Sequence, residues 1–280
     1  MSLLPPEAYE TFSRENANLF NDILDLLVLL AEATAISARI STYKKLTKQL
    51  SELEQAAIQF GMLQVQDWSI DQKRTFGQQL GRLVREKFTA KVLAIANSFR
   101  LGRVPSNFGI GSGVYFLKQL TSSQQLKLKE AIKKSPIVTL SGPKFRKYSL
   151  DYYLSLLLHS EIGALQRDHA ISESSRKGSD LVQVSTQPSI IGDYCDLYRG
   201  RVFSVTGKNP DFPPLSDCPN GGAPFHPWCR HYFIPIEEGS EAAEAAKQLP
   251  PIPPEFIAAA RTGASPNEFM KLWNSYKNTP

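Results

Sequence analysis

All three cysteines of this 280-residue chain and two of its four histidines fall in one stretch, Gly192 to Pro235. Cys195, Cys218, His226, Cys229 and His231 are threaded there with Gly and Pro. Glycine and proline supply the turns that let side chains distant in sequence converge on one point. The stretch therefore predicts a loop-rich knuckle held from inside. An odd number of cysteines clustered with histidines argues against a disulfide framework and for a reducing compartment, where thiols bind metal or stay free.

Two readings of the knuckle follow from its spacing. In the first, Cys195, Cys218, His226 and Cys229 hold a structural zinc ion, with His231 able to replace any of them. Zinc favours four sulfur or imidazole ligands, and His226-Pro-Trp-Cys229 offers two of them at the short separation such sites use. The other half is irregular, because Cys195 and Cys218 are 23 positions apart and neither lies in a Cys-x-x-Cys. In the second reading no metal is bound. The cysteines then act as small buried apolar residues, and His226 and Arg230 hydrogen-bond to loop carbonyls.

The net charge of +5 hides a segregation along the chain. Residues 1–72 carry 5 Lys/Arg and 10 Asp/Glu, residues 73–148 carry 16 and 2, and residues 149–280 carry 11 and 15. A segment with a balance of +14 and almost no acids of its own is a candidate surface for nucleic-acid phosphates, which need no sequence reading. The side chains assigned to it are Arg82, Arg85, Lys87, Lys91, Arg100 and Arg103, with Lys144, Arg146 and Lys147. No apolar run approaches the roughly 20 residues that span a bilayer. The opening MSLLPPEAYE has no basic stretch leading into an apolar core, so neither a membrane contact nor a secretory signal is expected.

The pattern predicts an α+β protein, mostly helical before a small C-terminal module of short strands. Residues 8–60 contain no Gly or Pro and favour helix, with Tyr43, Leu46, Leu50, Leu53, Ala57 and Phe60 forming one apolar stripe that Gly61 is expected to end. Ser69 and Asp71 offer the start of a basic helix running to Gly102, and 109–113 is a flexible glycine loop without the ending of a phosphate cradle. A short helix over 122–134, an extended basic link over 136–147 and a helix over 149–176 come next. Strands are expected at 181–184, 201–205 and 232–236, and two short helices at 255–261 and 266–276. This divides the chain into a helical basic region over 1–147, an α+β module with the knuckle over 148–236, and a helical tail over 237–280.

The order of short motifs, LVQVSTQPSI, CDLYRGRVFSVTG, PPL, FHPWCRH and FIP, resembles the minor capsid and head-morphogenesis proteins of tailed phages, the group that includes the family named for protein F of phage Mu. Gly200, Val202, Phe203, His226, Pro227, Cys229, Arg230 and His231 match the pattern in order. Many members have Cys-x-x-Cys where this chain has Cys195-Asp-Leu-Tyr198, one thiolate fewer. The resemblance implies a minor structural protein inside the virion head, made in the host cytoplasm, associated with portal and head proteins, and acting in head assembly and genome packaging or delivery. Non-specific contact with double-stranded DNA by the basic segment suits that role. No enzyme is expected. The competing class is a metal-dependent nuclease or toxin-like effector delivered with the genome, using the knuckle and the flanking carboxylates Asp193, Asp196, Asp211 and Asp217 as its active site. His159-Ser-Glu161 with Cys229 lacks the Pro-Cys-x-x-Cys of the zinc deaminases.

Overall fold

The computed structural model describes residues 6–64, 69–105, 108, 110, 116–141, 144–188, 192–226 and 229–277. The chain divides into two compact units, one over Glu7–Leu158 and the other from His159 onward. The division falls inside one helix rather than at residue 147, and each unit has its own interior.

The first unit is built on helices α1 (Pro6–Glu15), α2 (Ala17–Glu32), α3 (Ile36–Gln64), α4 (Ile70–Leu83), α5 (Ala90–Arg100) and α6 (Ser122–Lys134). Its interior draws Phe20, Ile23, Leu27 and Leu30 from α2 and Leu46, Leu50, Leu53, Ala57 and Phe60 from α3, all buried. The stripe expected along α3 is thus its inward face, although Gly61 does not end it: the helix runs on to Gln64. A Cβ at Gly61 would lie 2.4 Å from Leu80 Cδ1, so glycine is used there to let α3 and α4 approach. Ser69 caps α4, accepting from Gln72 N–H while Gln72 returns the bond, and Thr121 and Gln124 cap α6 in the same way.

The basic helix carries a feature that its sequence pattern does not predict. Between α4 and α5 the chain forms a π-helical segment, Val84–Thr89, so that 70–100 is one continuous rod with a wider turn in its middle. The extended link over 136–147 is a hairpin of β1 (Ile137–Ser141) and β2 (Lys144–Tyr148), paired Ile137 to Tyr148 through Ser141 to Lys144. Of the 109–113 loop, Gly109 and residues 111–113 lie outside the described residues.

Helix α7 (Leu150–Arg176) belongs to both units. From His159 the second unit continues through β3 (Leu181–Val184), β4 (Val202–Ser204) and β5 (Phe233–Ile236), an antiparallel sheet in the order β4-β3-β5 with Val182 opposite Phe203 and Pro235. Short 3-10 turns at Tyr194–Tyr198, Leu215–Asp217 and Pro219–Gly221 carry the chain between β3 and β5. The three helices after the sheet, α8 (Glu241–Lys247), α9 (Pro254–Arg261) and α10 (Pro266–Lys277), are not a separate tail. Ile252, Phe256 and Phe269 share one core with Val182, Tyr194, Tyr198, Phe203 and Phe225. Arg261 clamps the Leu215–Asp217 turn with two bonds to the Asp217 carboxylate, at 2.7 and 3.1 Å. The fold is α+β and mostly helical, as the pattern predicts.

Candidate metal centre

The knuckle brings Cys195, His226 and Cys229 together. One ligand atom of each lies within 4.8 Å of the others, close enough to bind a metal ion. Local structure places each of them. Cys195 is the second residue of the Tyr194–Tyr198 turn, which begins where Asp193 Oδ1 accepts the Cys195 N–H at 3.0 Å. The Cys229 N–H donates to the His226 carbonyl at 3.0 Å, which ties the two residues together. Pro227 and Trp228, between them, lie outside the described residues. Tyr194 holds the turn from behind, donating its hydroxyl to the Phe225 carbonyl at 3.0 Å and stacking on Phe269 at 5.0 Å.

Cys218 is not a member of this group. It sits between the two 3-10 turns, fully buried, with Asp217 and Arg201 as its charged neighbours. Burial pushes its thiol well above the ordinary range, and it joins the apolar core as an inert side chain. The four-ligand set expected from sequence is therefore corrected: its irregular half contributes one cysteine, not two. His231, the expected substitute, is not part of this group; its Nδ1 lies 3.6 Å from Cys229 Sγ.

The electrostatics of the group are those of a cation site. Burial would raise the Cys229 thiol, but hydrogen bonds from Cys195, His226 and His231 outweigh it and bring the group well below its usual range. Cys195 moves the other way, raised by its bond to Cys229 and by burial. Both sulfurs must be deprotonated to bind a cation, so uptake of one would release protons. Asp193, 3% exposed, accepts from the Cys195 thiol with Oδ1 at 2.6 Å, and its Oδ2 lies 3.1 Å from His226 Nε2 as an ion-pair contact. Burial works to raise its pKa, and the bonds from His226 and Cys195 override that, to about 2. His159, buried nearby on α7, is held neutral because burial lowers its pKa to about 4.

His226 also lines a cleft of about 560 Å³ formed by Ser160, Glu161 and Arg167 of α7, Asn220, and Ser265 at the start of α10. The Arg167 guanidinium is fixed there by a 3.2 Å bond from Nη1 to the Asn220 carbonyl.

The basic side chains expected to meet DNA lie in the first unit and divide into two groups. Arg82, Lys87, Arg103, Arg146 and Lys147 are exposed. Arg85 is exposed but bonded to the buried Glu54 at 3.0 Å; Arg100 lies over the Tyr43 ring at 5.3 Å and bonds Asn97, and Lys91 lies over Tyr153 at 5.9 Å. Lys144 is in β2, its side chain outside the described set. The scarcity of acids within 73–148 is made up from other helices: Lys129 pairs with Glu32 at 3.2 Å and Lys133 with Asp25 at 3.3 Å. The unit Glu7–Leu158 still carries 21 Lys/Arg against 13 Asp/Glu.

Sequence reasoning named Asp193 only as one of four carboxylates flanking the knuckle, not as the cap of the turn that carries Cys195. The signal was available: an aspartate two positions before a cysteine, in a segment with turn residues on both sides, is the pattern of a capping carboxylate. No family model, no curated protein and no solved structure matches the chain. No helix among the described residues is long and apolar enough to cross a membrane.

Proposed function

We propose that this protein is a minor structural protein of a tailed-phage head, working with portal and head proteins in assembly and in genome packaging or delivery. One observation carries the reading. His226 and Cys229, two of the residues through which the chain resembles that group, meet Cys195 at one point, although the three are spread over 35 positions. In this reading the point is a structural zinc site. The two sulfurs and the imidazole suit zinc, and the bound ion would cross-link the loop between β3 and β5. The basic helical unit then supplies sequence-independent contact with duplex phosphates, where Arg82, Lys87 and Arg103 stand exposed.

The test is equilibrium binding to two duplexes of unrelated sequence across a salt series. Wild type should bind both alike. Reversing Arg82, Lys87 and Arg103 to Glu should weaken binding at least about tenfold and flatten the salt slope by up to about three units, roughly 0.9 for each phosphate no longer neutralised. Unchanged binding removes the DNA-contacting surface. In parallel, mass spectrometry of purified particles should find the chain in few copies, and its absence from them ends the structural-protein reading. A second reading, a metal-dependent nuclease, is favoured by the cleft that Glu161 and His226 both line. The same duplexes, incubated with zinc, manganese or magnesium, should stay intact under the first reading and be cut under the second.

A further inference from the structure

The aromatic rings of the basic rod over 70–100 face its interior, where Phe76, Phe88 and Phe99 are buried. The rings that reach solvent come from the hairpin and helix that follow. Tyr148, the last residue of β2, stacks on Tyr152 of α7 with centroids 5.7 Å apart and planes 7° from parallel. Tyr148 also meets Tyr153 at 5.9 Å, and Tyr153 meets Phe88 of the π segment at 6.3 Å. The four rings make one row that leads outward from the core. Phe88 is fully buried, Tyr153 is 6% exposed, Tyr148 is half-buried and Tyr152 is 46% exposed. Resting on the DNA contact proposed above, we propose that this row is a stacking platform for single-stranded DNA, with Tyr152 as the ring that meets an unpaired base.

Charge complementarity argues for the occupant. Arg146 and Lys147, both exposed, immediately precede Tyr148 on β2, and exposed Lys87 immediately precedes Phe88. Lys91, one turn further along the rod, holds its ammonium 5.9 Å from the Tyr153 centroid. Acids are scarce in this part of the chain: between residues 80 and 155 they are Glu86, Glu130 and Asp151. Cations attract a phosphate backbone whether it is paired or not. The ring is what discriminates. Inside a duplex both faces of each base are covered by its neighbours, whereas an unpaired base has a face to offer, and every base has one, so the contact is tolerant of sequence. Tyr148 lies behind Tyr152 and holds its plane, which lowers the cost of ordering that ring when a base arrives.

The test uses the full chain and a labelled mixed-sequence oligonucleotide, offered as a single strand and as its duplex, with binding read by fluorescence anisotropy across a salt series. Tyr152→Ala should weaken single-strand binding by about five- to 150-fold, the equivalent of about 1–3 kcal/mol for a base stacked on a ring. Duplex affinity should change by less than about twofold, and the salt slope should stay as in wild type because no cation is removed. Tyr152→Phe keeps the ring and should keep the single-strand affinity. An unchanged urea midpoint checks that the alanine variant is folded. Independently of any variant, a strand carrying 5-iododeoxyuridine should crosslink to Tyr152 or Tyr148 of the wild-type chain under ultraviolet light. Unchanged single-strand binding by Tyr152→Ala, an equal loss on both forms of DNA, or crosslinks confined to other residues overturns the platform. Preference for RNA of the same sequence by tenfold or more overturns DNA as its occupant. Wild type that binds the duplex and not the single strand overturns the platform alone, and wild type that binds neither overturns the DNA contact on which it rests.

Discussion

At the scale of single residues, the consequence most open to measurement is the burial of His159. The side chain is 2% exposed, and burial disfavours its charged form, lowering the pKa to about 4 from 6.5. A histidine whose folded pKa lies below its unfolded value is neutral in the fold and protonated in the unfolded chain over the interval between them. Its contribution is complete above about pH 6.5 and is lost as the pH falls toward 4. At 1.36 kcal/mol per unit, wild type should lose on the order of 2 kcal/mol more than His159→Gln between pH 7 and pH 5. Urea unfolding at the two values checks this, and equal losses would show that His159 is not held neutral. Asp193 belongs to the same scale: the residue that caps the turn carrying Cys195 also lies 3.1 Å from His226 Nε2.

At the scale of elements, glycine and the π segment show how local sequence is used in packing. Glycine inside an exposed helix costs about 1 kcal/mol relative to alanine, so Gly→Ala there ordinarily stabilises. At Gly77 in α4 the opposite is expected. A Cβ would fall 2.7 Å from Met62 Cγ and 2.8 Å from the Ile58 carbonyl oxygen on α3, and the latter is backbone. Gly77→Ala should therefore destabilise the first unit by about 1–3 kcal/mol, the usual cost of overpacking, read as a lowered urea midpoint with an unchanged slope. A stabilised variant would mean that the two helices can separate at little cost. The π segment has a similar origin. Phe76, Leu80, Val84, Phe88, Val92 and Ala96 are all buried at a strict spacing of four. In a 3.6-residue helix such a row drifts about 40° per step, and a wider turn in the middle cancels part of the drift. The spacing was visible in the sequence and its consequence was not, because helical periodicity is ordinarily satisfied by threes and fours in alternation.

At the scale of the whole molecule, the centre depends on residues far from it in the chain. Phe256 and Phe269, on the last two helices, share a core with Tyr194, Cys195 and Cys229, and Trp273 donates its indole N–H to the Gly192 carbonyl at 2.9 Å. On the zinc reading proposed above, a chain ending at Leu249 should lose stoichiometric zinc while keeping the helical signal and cooperative unfolding of Glu7–Leu158. Removing Ile252, Phe256 and Phe269 deletes burial of about 2–5 kcal/mol each, which exceeds what a unit of this size can spare. Full metal content in the truncated protein would make the knuckle self-sufficient. Zinc content and far-UV circular dichroism of the two proteins settle the matter.

The sequence by itself determined the elements and the chemistry on offer. Helix and strand positions followed from period, caps and breakers, and the convergence of Cys195, His226 and Cys229 was legible because turn residues and ligands were concentrated in one stretch. Only the tertiary structure decided which cysteine was excluded, since Cys195 and Cys218 are the same chemical group and differ only in what surrounds them. It alone decided that the last 44 residues complete the core, that acids on α2 and α3 offset the basic segment, and that Asp193 faces the metal-binding group. Periodicity is a property of neighbours in the chain, whereas burial, ion pairing and coordination are properties of neighbours in space, and loop closure brings together residues no local pattern connects.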